Sequence, residues 1–419
     1  MVKRWIPLIP LRERTKYNQT LDWVDAGLLA KYKTLGACQA EMKRQSAGVM
    51  ACASGELVYL FYSAMYRDDQ EMYNLARTSL ENLISVTDES STGSFAAGVP
   101  GLLWTLYHLE NTDMVPGAGN MIDDEVINHY CKLAIDQIAE GNFDLMYGGL
   151  GMALALLQSE KRTKNQDDYL AEMVSTLYRI AQFNGNTALF YDKKDPEKPN
   201  ERTVSFGMAH GLPGIIAVLS KIYKLGIEID KCKELIEKSI NFILSKKQEN
   251  KFNCLFPQIY NIGSIGNVNG YGRVAWCYGD IDLVFALLHA YGALNNINYK
   301  EEADFIINYI VTHNEVNSQY TFDGSFCHGA CGNGHMFNRL YNYTGNQSLA
   351  AASQYWFSKV CDRIKYENNA LTISVKLNNK PTWSNETNVI MGTAGLGLTL
   401  LSAIAEVTPD WDDMFLLRI

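Results

Sequence analysis

Residues 208–219 read MAHGLPGIIAVL. A cluster of small residues opens a run that is apolar nearly all round. Six other stretches share this form: ASGELVYLFY from Ala53, AAGVPGLLWTLYHL from Ala96, MYGGLGMALALL from Met146, WCYGDIDLVFALL from Trp276, CHGACGNGHMF from Cys327 and VIMGTAGLGLTLL from Val389. Aligned, they place Gly55, Gly101, Gly151, Gly214, Asp282, Gly332 and Gly395 in one column, at steps of 46–68 residues. Recurrence at such a step marks an array of supersecondary units. A helix with no polar face is buried, so each marker opens an inner helix. Amphipathic segments lie between the markers. They include Met72, Leu75, Leu80 and Leu83; Ile127, Cys131, Ala134 and Ile138; Leu170, Met173, Leu177 and Ile180; and Ile236, Ile240 and Ile243. Their spacings turn one face inward and the other to water. Buried helix then amphipathic helix, seven times, predicts an all-α chain. It is read as an (α/α)7 toroid of two concentric layers, about fourteen helices in all, with the chain ends meeting across the first and seventh units. An open solenoid is the competing architecture, but its inner helices would be less uniformly apolar.

The chain has 419 residues, beyond the length at which single cores usually stop growing, but a toroid can take residues 1–419 as one domain. A hydrophobic content of 47% supplies the core, and a net charge of −9 disfavours a nucleic-acid partner. No apolar run approaches the roughly 18 residues of a membrane-spanning helix. The N-terminus, MVKRWIPLIPLRER, is a poor signal peptide. Nine cysteines without regular spacing fit reduced thiols, hence a cytoplasmic location. Two stretches do not read as helix. Asp192–Thr203 (DKKDPEKPNERT) is a charged loop, and Lys251–Arg273, with Pro257 and four glycines, reads as a long irregular segment or a short hairpin.

The marker register also aligns chemistry. AWCYG at Ala275–Gly279 and CHGACG at Cys327–Gly332 place Cys277 and Cys327 in one column, directly before Tyr278 and His328. In the fourth unit Ala209 and His210 take these two positions. In the third, Tyr147 stands in the histidine column with Asp144 three residues earlier. Two thiols and an imidazole form a set that zinc takes in catalytic sites, leaving a fourth position open. In a closed ring, equivalent positions share one height, here the N-terminal ends of the inner helices, where partial positive charge favours anions. Each residue also has a plainer reading. A lone cysteine is commonly a small core residue, Asp144 suits a helix N-cap, Tyr278 suits packing, and Arg273 suits a surface ion pair. Cys331 is either a core thiol or an extra thiol near the metal.

Taken together, GMAHGLPG, RVAWCYG, CHGACG and the seven markers resemble the lanthionine synthetase C-like family, the lanthipeptide cyclases, over essentially the whole chain. The resemblance implies an (α/α) toroid with one Zn2+ ion. It implies addition of a peptide cysteine thiol to dehydroalanine or dehydrobutyrine, which closes a thioether ring. Cys277, Cys327 and His328 then match the zinc ligands and His210 the proposed acid/base. Asp144 matches the carboxylate near it, Arg273 the active-site arginine and Tyr278 the tyrosine. Two positions depart from the family pattern: Ile281-Asp282 stands where Pro-Gly is common, and Cys331 where another residue is usual. The implied partners are a dehydrated precursor peptide with its leader, and a dehydratase and exporter in a complex at the membrane. Related enzymes of the same fold add glutathione instead, which is the alternative activity. A non-catalytic zinc-containing scaffold is a further alternative, which Cys331 as a fourth ligand would support.

Overall fold

The computed structural model describes residues 4–36, 46–88, 91–192, 202–248, 254–262, 274–315, 321, 323–377 and 380–419. Each marker folds as a tight turn that runs into a helix. The aligned glycine column is needed for close approach. A Cβ on Gly55, Gly101, Gly214, Gly332 or Gly395 would run into the carbonyl oxygen of Val49, Phe95, Met208, Phe326 or Val389, six residues earlier in the same turn. In chain order the helices are α1 (Arg14–Gly36), α2 (Ala53–Arg67), α3 (Gln70–Ser85), α4 (Val99–Asn111), α5 (Asp124–Ala139), α6 (Leu150–Gln158) and α7 (Lys164–Ile180). They continue as α8 (Leu212–Lys224), α9 (Ile229–Leu244), α10 (Asp280–Leu294), α11 (Ile297–Thr312), α12 (Ala330–Thr344), α13 (Gln347–Val360) and α14 (Thr393–Ile404).

The even-numbered helices form the inner layer and the odd-numbered ones the outer. Burial follows. All twelve residues of α14 are buried, whereas α9 buries only one face, through Cys232, Leu235, Ile236, Ser239, Ile240, Phe242 and Ile243. Helix starts are set locally. Thr163 and Gln166 make a capping box at the head of α7. The chain is an (α/α)7 toroid. The seventh outer helix departs from a simple sevenfold repetition of inner then outer helix. After α14 the described chain has only the 3-10 segment Asp410–Phe415, and the seventh outer place is taken by α1 from the other end of the chain. The chain ends therefore do meet across units one and seven. Ile9 N donates to Ala403 O at 3.0 Å, and Tyr17 Oη to Phe357 O at 3.3 Å.

Hydrogen bonds between neighbouring turns run around the ring. Ala51 N donates to Ala96 O (2.9 Å), Ala96 N to Met146 O (2.9 Å) and Leu145 N to Ala209 O (3.2 Å). Trp276 N donates to Cys327 O (3.0 Å), Cys327 N to Ile390 O (3.0 Å) and Ile390 N to Met50 O (2.9 Å). Six of the seven steps are thus backbone to backbone, all in one direction. The step from unit four to unit five is made by a side chain: Met208 N donates to Asp282 Oδ2 at 3.0 Å.

The inner helix α12 is polar yet buried, with Asn333, His335 and Asn338 all inaccessible to solvent. It is not the apolar helix that the repeat predicts, because it grips both chain ends. Asn342 Oδ1 accepts from Ile6 N at 2.8 Å. Asp412, fully buried, takes His335 Nε2 at 2.8 Å and Arg339 Nη2 at 2.7 Å. The following residues run inside the ring. Trp276 Nε1 donates to Phe415 O at 2.8 Å, and the Phe326 and Phe415 rings lie 3.9 Å apart.

Strands decorate the rings. β1 (Gln182–Asn184) and β2 (Thr187–Leu189) form a hairpin, and β5 (Ile364–Glu367), β6 (Ala370–Leu377) and β7 (Lys380–Ser384) form an antiparallel sheet. Neither has a counterpart in the sequence reading. β3 (Thr203–Ser205) pairs antiparallel with β4 (Ile259–Asn261), Val204 opposite Tyr260. The described strand of Lys251–Arg273 therefore pairs with Thr203–Ser205, at the end of the other presumed loop. Most of both segments lies outside the described residues.

Replacing Asp412 with Ala leaves the Arg339 guanidinium and His335 without their shared buried carboxylate. Breaking a buried pair costs about 3–5 kcal/mol. The expected outcome is a drop of that size in unfolding free energy by urea titration, with a smaller drop for Asp412→Asn, which keeps an acceptor.

Candidate metal and acid–base site

In the histidine column of units three to six stand Tyr147, His210, Tyr278 and His328. The Tyr147 and His210 rings are near parallel, 6.4 Å apart, and His210 and Tyr278 are 5.5 Å apart. The sequence register has become a row of rings at the mouth where the inner helices begin. The preceding position carries the thiols. The ligand atoms of Cys277, Cys327 and His328 all lie within 4.8 Å of one another, and among the described residues this is the one such group of three. Cys277 Sγ is 3.8 Å from His328 Nδ1. Both cysteines are buried, at 6% and 8% exposure.

Asp323 completes this cluster and was not singled out in the sequence. Its Oδ2 lies 3.3 Å from His328 Nε2, and its Oδ1 accepts Ser325 N at 2.6 Å. The carboxylate accepts a hydrogen bond from Nε2–H, which leaves Nδ1 facing the thiols. A carboxylate on the far nitrogen of a ligating histidine is the usual outer partner of a metal site. An acid five residues before a candidate ligand was the available signal. Burial opposes charge on His328, but the bonds to Asp323 and Cys277 outweigh it and hold the ring up to about 9. Burial likewise pushes Asp323 up, while His328 and Ser325 outweigh it and hold the carboxyl below its ordinary value. The cluster therefore favours positive charge between its sulfurs and Nδ1. Two soft thiols, one imidazole and an anchored ring fit a zinc ion in place of that proton. Cys331 stands apart: it is fully buried, burial pushes its thiol up to about 12, and it bonds to Thr399.

Beside the cluster, His210 Nδ1 is 2.6 Å from Asp144 Oδ2. Asp144 Oδ1 accepts from Met146 N and Tyr147 N, each at 2.8 Å. The carboxylate thus holds the histidine and ties the turn ahead of α6, but it is not the helix N-cap that the sequence suggests, a place taken by Gly149. Burial lowers the basicity of His210, but the bond and charge of Asp144 outweigh it and raise the ring above its ordinary pKa. Burial pushes Tyr278 up to about 12, so it remains a neutral phenol. A cleft opens on His210, lined by Asn142, Phe143, Asp144, Asp192, Ser205 and Tyr278. Asp192, also missed in the sequence, accepts Ser205 N at 3.1 Å and Ser205 Oγ at 3.0 Å. Arg273 lies outside the described residues. The arrangement can hold a thiolate at one point and move a proton at a neighbouring one.

A family model described as lanthionine synthetase C-like protein matches residues 43–416. The nisin biosynthesis protein NisC of Lactococcus lactis subsp. lactis is 23% identical over 241 residues, 52% of this chain and 55% of that protein. The glutathione S-transferase LANCL1 of Danio rerio is 23% identical over 227 residues, 53% of each. The chain spans about half the length of the curated relatives it matches. Superposition on the structure of nisin cyclase gives a TM-score of 0.72 at 16% identity, covering 93% of this chain and 97% of that one, a likeness of fold. No helix of the described residues is long and apolar enough to cross a membrane. With the model matched over nearly its whole length, the chain belongs to the lanthionine synthetase C-like family.

Proposed function

We propose that the chain is a zinc-dependent cyclase that joins a cysteine thiol to dehydroalanine or dehydrobutyrine in the same dehydrated peptide. The observation that carries this reading is the convergence of Cys277, Cys327 and His328 beside the His210–Asp144 pair. Zinc held by Cys277, Cys327 and His328 would lower the pKa of the substrate thiol, so that it is present as the reactive thiolate. Sulfur bonds to the β-carbon, the carbon–carbon π bond breaks, and the α-carbon receives a proton; nothing is oxidised or reduced. His210 supplies the proton to the α-carbon or takes it from the entering thiol, and Asp144 fixes its ring and sustains its charge. Negative charge on the carbonyl oxygen is met by the N-terminal ends of α8, α10 and α12. Tyr278 and the walls of the cleft exclude water and orient the alkene.

A second reading has its own support. LANCL1, a glutathione S-transferase by name, is as similar to this chain as NisC. The two differ only in the source of the thiol. Incubating a dehydrated, cysteine-containing peptide with excess glutathione separates them. Cyclisation yields an unchanged peptide mass and no thiol that iodoacetamide can alkylate. Transfer yields a peptide heavier by one glutathione per alkene consumed, and that product as the main one would replace the first reading by the second.

Metal analysis of the purified protein is expected to give one zinc per chain, and Cys277→Ala to lose it. His210→Ala should retain the metal and lose about 10²–10⁴-fold in rate, the usual share of a general acid or base. Zinc falling together with rate in His210→Ala would make His210 a ligand.

Because Asp144 raises the pKa of His210, Asp144→Asn must lower it. The limb of the kcat–pH profile that His210 governs should therefore move to lower pH. If that limb is the fall at high pH, His210 acts as acid; if it is the rise at low pH, as base. A profile that does not move removes His210 from the rate-governing step.

A further inference from the structure

Asp282 stands where the other six units have glycine. The tight turn that those glycines permit is not available to a residue with a side chain, and the fifth turn is built differently. Where Gly98 N, Gly211 N and Gly392 N donate to carbonyl oxygens of their own turns (Ser94, Gly207 and Asn388), Gly279 N donates to the Asp282 side chain, whose Oδ2 accepts it at 3.3 Å and caps the start of α10. The same oxygen, Oδ2, accepts Met208 N at 3.0 Å. No backbone bond joins these two turns among the described residues. One carboxyl oxygen therefore ties together the peptide that follows Cys277–Tyr278 and the turn that leads two residues later to His210. This is the one step of the ring where a side chain replaces the backbone, and it lies between the proposed acid/base and a proposed ligand.

The carboxyl group has no other evident duty. Asp282 is fully buried, and its Oδ1 has no hydrogen-bond partner. A buried unsatisfied oxygen is costly and calls for an explanation. Asp280, two residues earlier, bonds elsewhere, to Leu255 N and Phe256 N. Gly207 closes the same seam from the other side: a Cβ there would run into the carbonyl of Cys277.

We infer that Asp282 is a positioning residue, a latch that sets the distance between His210 and the Cys277–Cys327–His328 cluster. The inference rests on the proposed acid/base role of His210, but the latch itself has a geometric readout. Asp282→Gly restores the residue of the other six units and removes the acceptor. Asp282→Leu removes the acceptor while keeping a branched side chain in the seam, in case the glycine variant does not fold. Asp282→Asn keeps an accepting oxygen.

The first measurement needs no catalysis. The protein is loaded with cobalt(II) in place of zinc, and the paramagnetic shift of the His210 ring protons reports their distance and angle to the cluster. Asp282→Gly and Asp282→Leu should bind cobalt fully and change this shift; Asp282→Asn should reproduce the parent. The second measurement is thioether formation. The glycine and leucine variants should lose about tenfold to hundredfold, as a displacement of about 1 Å costs, and Asp282→Asn should stay within about threefold. His210→Ala, worth about 10²–10⁴ in the parent, should cost less than about tenfold in the Asp282→Gly background, since coupled residues are not additive. An unchanged His210 shift, loss of cobalt in step with the acceptor, or an undiminished His210→Ala effect overturns the latch. If the shift moves as expected but the parent protein forms no thioether, the latch stands and the proposed function fails.

Discussion

The toroid depends on a hoop of hydrogen bonds between its seven turns. Each bond joins residues from different units, and the hoop closes only when Ile390 meets Met50. The glycine column lets six of the turns fold tightly, and Asp282 stands in for it in the fifth. Backbone groups satisfied in this way can be buried at little cost, whereas unpaired ones could not. Because all the turns are level, all seven inner helices begin at one mouth. Their N-terminal partial charges add there, where two thiols and two carboxylates also gather.

The opposite requirement, a filled centre, is met by the end of the chain. The residues after Pro409 run into that centre, and Trp276, Phe326 and Phe415 pack beneath the turns that carry Cys277 and Cys327. A backbone inside the ring brings polar groups that must be paired. This explains the polar character of α12 and the inward-facing Trp276 indole, His289 and Lys221, which bond to Phe415 O, Leu416 O and Asp413. The floor of the candidate site and the lock on the chain terminus are thus one structure. A change to residues 410–419 should be felt at the turns that carry Cys277 and Cys327.

The two halves of the site are tuned by carboxylates in matching ways. Asp323 on His328 and Asp144 on His210 each fix a ring and favour its positive form. In the first case the charge faces the two thiols that could hold a metal ion; in the second it faces the cleft. Asp323 is itself held by the sheet, since Gly324 N donates to Ser374 O of β6 at 2.8 Å. The β5–β7 insertion therefore bears on the ligand set although it lies outside the repeat.

The sequence alone determined the repeat, the two layers and the register of Cys277, Cys327, His328, His210 and Asp144. These follow from periodicity, and in a closed ring equal positions must converge whatever the loops between them do. It could not show that α1 completes the seventh unit or that the chain end plugs the ring. Nor could it show that β3 pairs with β4, that Asp323 meets His328 or that Asp282 meets Met208. Each of these is a contact between segments with no shared period, such as Asn342 with Ile6, 336 residues apart. Asp282 is the instructive case. In the sequence it is a break in a column of glycines. Only the tertiary structure, by placing Met208 and Gly279 on one of its oxygens, shows that the break joins two turns that the backbone leaves apart.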